Sequence, residues 1–349
     1  MISKVRYERK NFMRYTGVTS RGIITPIFQQ GDDLVSSIVT SVKEASENEG
    51  FSLNDGDIVG VTEAVVARTQ GNYATTDQIA ADVRAKLGGE DVGIVFPIMS
   101  RNRFSVVLKG IAMGCKKLYV QLSYPSDEVG NLLVDRDIFD EAGVNPYTDS
   151  FTEKEFRKLF GKDKTIHRFT GVDYIEYYKS FGDSIEIIFS NDPTYILKYT
   201  GNVLNCDIHT RKRTQRLLKN AGAERSFRLD ELLTSSVMGS GYCEEYGLLG
   251  SNKATEDKVK LFPRDTQTFV DNLASALKAG TGKNIEVLIY GDGGFKDPVG
   301  GIWELADPVV SPAHTKRLVG TPNELKMKYL ADTEFKDLRG EAARQAMMQ

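Results

Sequence analysis

Five short, largely apolar runs restrict what this chain can fold into: Ile58–Val61, Val92–Ile98, Leu118–Leu122, Ile185–Phe189 and Ile285–Tyr290. Runs of this length next to turn residues read as buried strands. Between them lie segments of helical period. Leu34, Ile38, Val39 and Val42 mark one helix, Thr76–Leu87 a second and Val106–Cys115 a third. Phe269, Val270, Leu273, Ala276 and Leu277 line the apolar face of another. Strands alternating with helices point to parallel pairing in an α/β layer. The expected class is α/β with α+β character: mixed sheets with flanking helices.

The last run carries the densest chemistry. It empties into Gly291-Asp292-Gly293-Gly294, followed by Lys296, Asp297, the pair Gly300-Gly301, Trp303 and Asp307. Glycines let the backbone approach a ligand closely, and a carboxylate at the tip of a buried strand is well placed to hold a cation. Taken alone, a glycine turn with a solvated aspartate accounts for GDGG. The concentration of acids, lysine and glycine beside one strand favours a site.

Composition narrows the chemistry. A chain of 349 residues suggests two domains rather than one. No flexible linker is visible, so a boundary takes the form of an insertion. A net charge of −3 gives no general attraction to nucleic acid or to an anionic membrane. Cys115, Cys206 and Cys243 are far apart and odd in number, as in a reduced cytoplasmic protein. The first residues, MISKVRYERKNFMRY, lack the apolar core of a signal peptide, and no run is long enough to span a bilayer. With only His167, His209 and His314, any metal sits among oxygens, which suggests Mg2+ or Mn2+.

Taken in order, residues 1–20 read as an edge strand or arm. Asp32 or Asp33 caps the first helix, and Asp265 caps the helix before the last strand. Thr62-Glu63 opens a helix or loop bearing Arg68, a strand-turn-basic arrangement that suits a phosphate or an ordinary joint equally well. Residues 135–182 are rich in aromatic rings, read as core. His209-Thr210-Arg211 opens a basic helix, read as a solvated face. Gly239 to Lys253 forms a second glycine-rich, acidic loop, and surface helices follow at 323–330 and 332–348.

Neither GxxxxGK[ST] nor a strand-coupled GxGxxG is present, and there is no GxSxG elbow. What remains is an oxygen-rich metal site beside glycine loops, with Arg68, Lys253 and Lys296 as phosphate partners. That set suits phosphoryl transfer, where the protein positions groups and neutralises charge.

Several motifs in order resemble the coenzyme F420-0:L-glutamate ligase (gamma-glutamyl ligase) family. They are Gly22–Ile27 with Gly31-Asp32-Asp33-Leu34, and Asp55-Gly56-Asp57-Ile58 through Val61-Thr62 to Gly71. Cys243, Gly247, Ser251-Asn252, Leu261–Asp265 and Asp292 complete the set. The resemblance implies a longer, divergent member. Its nucleotide- and metal-binding core would be residues 1–95 and 237–315, with an inserted α/β domain at 96–236 and C-terminal helices at 316–349. It implies a GTP- or ATP-dependent ligase that uses Mg2+ or Mn2+, acts on L-glutamate and an anionic carboxylate acceptor (F420-0 or a folate-like cofactor), and forms a homodimer. Gly22, Ile23, Ile24, Thr25, Pro26, Glu63, Ala64 and Arg68 would line the nucleotide, with Ser251, Asn252 and Gly293 beside it. Asp292 would hold metal and, with Lys296, serve catalysis. Where the family has a metal-binding aspartate, this chain has Leu249, so Glu244 or Glu245 would supply the second ligand. The sequence leaves two rivals: a nucleotide-binding protein that has lost catalysis, and a metal-dependent phosphatase or nucleotidyl transferase using Asp292 and Asp297.

Overall fold

The computed structural model describes residues 17–166, 171–291, 295–296, 303–304, 311–319 and 326–348. Its first helix, α1, spans Leu34–Glu49. Asp33 takes the cap, accepting the Ser36 amide at 3.1 Å, while Asp32 accepts the amide of Gln29. Gly50 ends the helix in the left-handed conformation. Next come β1 (Ile58–Thr62), α2 (Glu63–Thr69), β2 (Tyr73–Thr75) and α3 (Thr76–Leu87). A reciprocal Thr75–Gln78 capping box fixes the start of α3.

A six-stranded sheet follows. Its elements are β3 (Asp91–Val95), α4 (Ser105–Met113), β4 (Lys117–Leu122), α5 (Arg136–Glu141), β5 (Phe151–Thr152), α6 (Glu153–Phe160), α7 (Tyr174–Lys179), β6 (Ile185–Phe189), β7 (Asn202–Asn205), α8 (Arg211–Asn220) and β8 (Arg225–Arg228). The strand order is β5-β6-β4-β3-β7-β8, and only the short β5 runs antiparallel. Side chains alternate between two covered faces, as a doubly wound sheet requires. Val92, Ile94, Leu118, Val120, Leu122, Ile185, Ile187 and Phe189 join the main core with α3, α4 and α7. Val95, Tyr119, Ile188 and Val203 point the other way, against Ile196 and Leu218. Gly93 belongs to that second face because a Cβ there would lie 2.5 Å from Ile196. The rings of 135–182 are core, as expected from the sequence: Phe139, Phe156 and Phe160 are buried, and Phe156 stacks on Phe189 at 3.9 Å.

The chain then completes two smaller sheets with β9 (Asn252–Lys253), β10 (Lys258–Lys260), α9 (Thr266–Thr281) and β11 (Glu286–Tyr290). Phe295–Lys296 (β12) pairs antiparallel with Trp303–Glu304 (β13). After them come β14 (Ala313–His314), α10 (Met327–Asp332) and α11 (Gly340–Met348). One sheet is β1-β11-β14, with β1 parallel to β11; the other is β2-β10-β9. Their helices α1 and α9 bury Leu34, Ile38 and Val42 against Val270, Leu273, Leu277 and Val287. Asp265 departs from expectation. It occupies the cap position of α9 in the left-handed region, φ 51°, and its side chain makes no cap hydrogen bond.

Among the described residues no helix is long and apolar enough to cross a membrane.

Candidate functional site

β1 and β11 run out side by side. Their register places Thr62 opposite Tyr290, so Glu63 and Gly291 follow directly from the carboxyl ends of two parallel strands. Thr62 caps α2 by accepting the Ala64 amide, and this turn sends the Glu63 side chain inward. Glu63 has no exposed surface. Its two carboxylate oxygens lie 2.8 and 2.7 Å from Lys260 Nζ. Lys260 stands opposite Asn252 in the β10–β9 pair and opposite Tyr73 in the β10–β2 pair. The structure therefore brings Glu63 and Asn252 together through Lys260, a residue that sequence reasoning did not select.

Arg68 is exposed on the last turn of α2, and its Nε donates to the Phe28 carbonyl at 2.6 Å. Gly31 donates to Thr69 at 2.8 Å. These two bonds anchor the segment that begins at Gly22. Within it Gly22, Ile24, Thr25 and Pro26 are exposed and Ile23 is half-buried. Ile24 is 95 % exposed and Ile27 85 %, while Phe28 is buried. The expected nucleotide-lining segment is thus an exposed apolar strap tied at one end to α2.

Asn72 is a second unforeseen centre. Fully buried, it donates to the Tyr242 and Phe262 carbonyls and accepts from the Tyr242 amide and from Arg264 Nη1. It fastens the 239–251 loop to β2 and to the segment after β10. Arg264 also lies over the Tyr242 ring. The motif Leu261–Asp265 gave a sequence signal for Arg264, but nothing local pointed to Asn72.

Ser251 is buried and its hydroxyl has no partner among the described residues, and Asn252 is half-buried. Lys253 pairs with Glu256. Glu244 and Glu245 are exposed, whereas Leu249 is 1 % exposed within the main core. Cys243 is buried, and burial pushes its thiol up, so it is no ready thiolate. Lys296 lies in β12. Asp292, Gly293, Asp297 and Asp307 lie outside the described residues, as does the expected arm up to residue 16. Among the described residues no three of His, Cys, Asp and Glu stand close enough to hold a metal.

At the carboxyl edge of the six-stranded sheet the structure assembles a further acidic pair that sequence reasoning missed. Glu128 accepts the amides of Ile208 and His209, at 2.6 and 3.2 Å, and hydrogen-bonds Asp207. Burial and that bond push Glu128 up to about 8. Burial opposes the charge on Asp207 too, yet the hydroxyls of Thr210 and Thr214 and the proton of Glu128 hold it below the usual range. One proton serves two carboxyls. Residues so distant in sequence carry no local signature of this pairing.

These features define a mixed α/β protein whose paired strand ends carry buried charge beside an exposed loop. The F420-0:gamma-glutamyl ligase family model matches residues 22–347, and the chain belongs to that family. Family membership gives ligase-type chemistry and, broadly, nucleotide binding. No curated protein and no solved structure matches the chain.

Proposed function

We propose that this protein is a nucleotide-dependent ligase that joins the amine of L-glutamate to a carboxylate of a cofactor-type acceptor, F420-0 or a folate-like molecule. The observation that carries this reading is the family match across residues 22–347. The neighbouring ends of β1 and β11 support it. In this reading the 96–236 stretch is an insertion, which makes the chain a divergent, longer member, and the working form is a homodimer.

A carboxylate is a poor acyl donor because it would have to expel oxide. The γ-phosphoryl of GTP or ATP passes to an acceptor carboxylate oxygen, giving an acyl phosphate and the nucleoside diphosphate. The glutamate nitrogen then attacks the carbonyl carbon. A C–N bond forms, the C–O bond to phosphate breaks, inorganic phosphate leaves, and the amine loses a proton. Mg2+ or Mn2+, when bound, would neutralise charge on the transferring phosphoryl group, with Asp292 as its ligand and Glu245 as the second. The chain's own residues bind and position. Gly22–Pro26 and Arg68 would hold the nucleotide, with Glu63, Ser251, Asn252 and Gly293 beside it and Lys296 balancing phosphate charge.

Incubation with GTP or ATP, Mn2+ and L-glutamate should release phosphate only when a carboxylate acceptor is added. Asp292→Ala should abolish that release. Absence of turnover with every acceptor tried, despite nucleotide binding, would overturn the reading. One observation favours a second reading, a nucleotide-binding protein without ligase activity: Leu249 is buried in the apolar core, where the family resemblance implies an acidic metal ligand. In that case nucleotide would bind equally well to Asp292→Ala.

A further inference from the structure

The glycine-rich stretch that begins at Gly239 spends its backbone on the protein itself. The Ser240 amide donates to the Val237 carbonyl at 2.9 Å and the Gly241 amide to the Tyr73 carbonyl at 2.7 Å. The Tyr242 amide donates to Asn72 Oδ1, and the Cys243 amide to the Leu233 carbonyl. A loop that cradles phosphate keeps such N–H groups free and aimed at the ligand. With these four occupied, residues 240–243 are no phosphate loop. They support one side chain instead, that of Arg264.

Arg264 is held from three directions. Its amide donates to Gln70 Oε1 at 2.8 Å, and Gln70 Nε2 returns a bond to its carbonyl at 2.7 Å. Its Nη1 donates to the fully buried Asn72 at 2.8 Å. The Tyr242 ring lies against the guanidinium, with its centroid 4.8 Å from Cζ. All three partners are neutral. Arg264 is half-buried, yet among the described residues no carboxylate pairs with it. A partly buried cation surrounded by neutral groups lacks a counter-charge. Its Nε and Nη2 make no bond to the described residues. Together they form a flat edge of two donors, the shape that matches a carboxylate.

We propose that Arg264, fixed by Asn72 and Tyr242, binds a carboxylate of the L-glutamate substrate. The choice of ligand rests on the ligase reading, in which three anions meet. Nucleotide phosphates need several donors, and here the neighbouring amides are already taken. The acceptor carboxylate must attack phosphorus through one of its oxygens, which a two-pronged bond would tie up. Glutamate reacts through nitrogen, so its carboxylates need only be held. The location agrees, because Gln70 stands two residues beyond Arg68, at the end of the helix that Glu63 begins.

The test is calorimetric titration of the full chain with L-glutamate, with and without GTP and Mn2+ and always without acceptor. L-Isoglutamine and L-glutamine, in which the α- or the γ-carboxylate is a neutral amide, are titrated alongside. Glutamate should saturate, and one of the two amides should bind about tenfold or more weakly, the worth of hydrogen bonds to a charged group. That amide names the carboxylate held. Arg264→Gln should weaken glutamate by a similar factor, erase the discrimination and leave GTP affinity unchanged. Arg264→Lys, which keeps the charge without the fork, should fall between. If neither variant folds, the three ligands on the wild-type chain decide. The proposal is overturned by the absence of saturable glutamate binding, by both amides binding as tightly as glutamate, or by wild-type selectivity in Arg264→Gln. A loss of GTP affinity alone in that variant would overturn it too. Arg264-dependent glutamate binding without phosphate release for any acceptor would sink the ligase reading and leave this site standing. Turnover with an unchanged KM for glutamate in Arg264→Gln would do the reverse.

Discussion

Lys260 holds Glu63 through both carboxylate oxygens, at 2.8 and 2.7 Å, and that bridge joins the start of α2 to β10. With Glu63 fully buried, removing its counter-charge is severe. Lys260→Met should cost about 3–5 kcal/mol in urea unfolding, the range for breaking a buried pair. The double variant Glu63→Leu/Lys260→Met should recover much of that loss, because no charge is then left inside. A loss in the double variant as large as the sum of the two single ones would show that the pair acts independently of this geometry.

Gly241 packs directly on the Asn72 hub. A Cβ at Gly241 would stand 2.4 Å from Asn72 Oδ1 and 2.7 Å from the Tyr73 amide nitrogen. Gly241→Ala must push the 239–251 loop away from β2, at a cost of about 1–3 kcal/mol. Limited proteolysis should then cut near Gly239–Tyr242 faster than in wild type. An unchanged digestion rate and melting temperature would contradict the packing described.

The Glu128–Asp207 pair predicts a pH dependence with a definite sign. Folding raises the Glu128 carboxyl to about 8, so between its ordinary value and that point the folded protein holds a proton that the unfolded chain has released. Stability from this group is fully present at low pH and is lost as pH rises toward 8. Asp207, held low, acts in the opposite sense and only at more acid pH. Glu128→Gln keeps a donor toward Asp207 without the titration. It should flatten the loss between the ordinary value of 4.5 and about 8, an effect on the order of a few kcal/mol. Parallel unfolding curves for the variant and wild type across that range would refute the shared proton.

Leu249→Asp offers a direct view of the position where the family resemblance implies a metal ligand. Here the side chain sits in the core with Leu248, 1 % exposed. A carboxylate placed there loses its hydration and should cost several kcal/mol or force its own protonation. The variant should be less stable and should gain no Mn2+-dependent stabilisation in thermal unfolding. Rescue by Mn2+ would mean that the loop can turn this position outward.

Local pattern carried much of the fold. Thr76–Leu87 begins and ends where helical spacing and the flanking Gly88-Gly89 place it, and the five apolar runs all contain strands. Pairing was not legible in the same way. Nothing around Ile58 announces Glu286 as its neighbour, since a buried strand reads alike whichever strand adjoins it. The two- and three-residue strands β2, β5 and β9 are too short for any period to register. Asp265 failed as a cap because its backbone took a left-handed turn that residue type alone does not reveal. At the site, Glu63, Arg68 and Asn252 were reachable through motif resemblance. Lys260, Asn72 and the Glu128–Asp207 pair act through contacts across the fold, which spacing in one segment cannot encode.

β1 leaves its strand position early in the chain, and its parallel neighbour β11 arrives only after the whole six-stranded sheet has been threaded. During synthesis, then, Ile58–Thr62 must wait with one edge unsatisfied while residues 91–228 can already assemble. A ribosome-bound intermediate should contain the large sheet and lack the small one, and the charged corner at Glu63 would be the last part of the molecule to close.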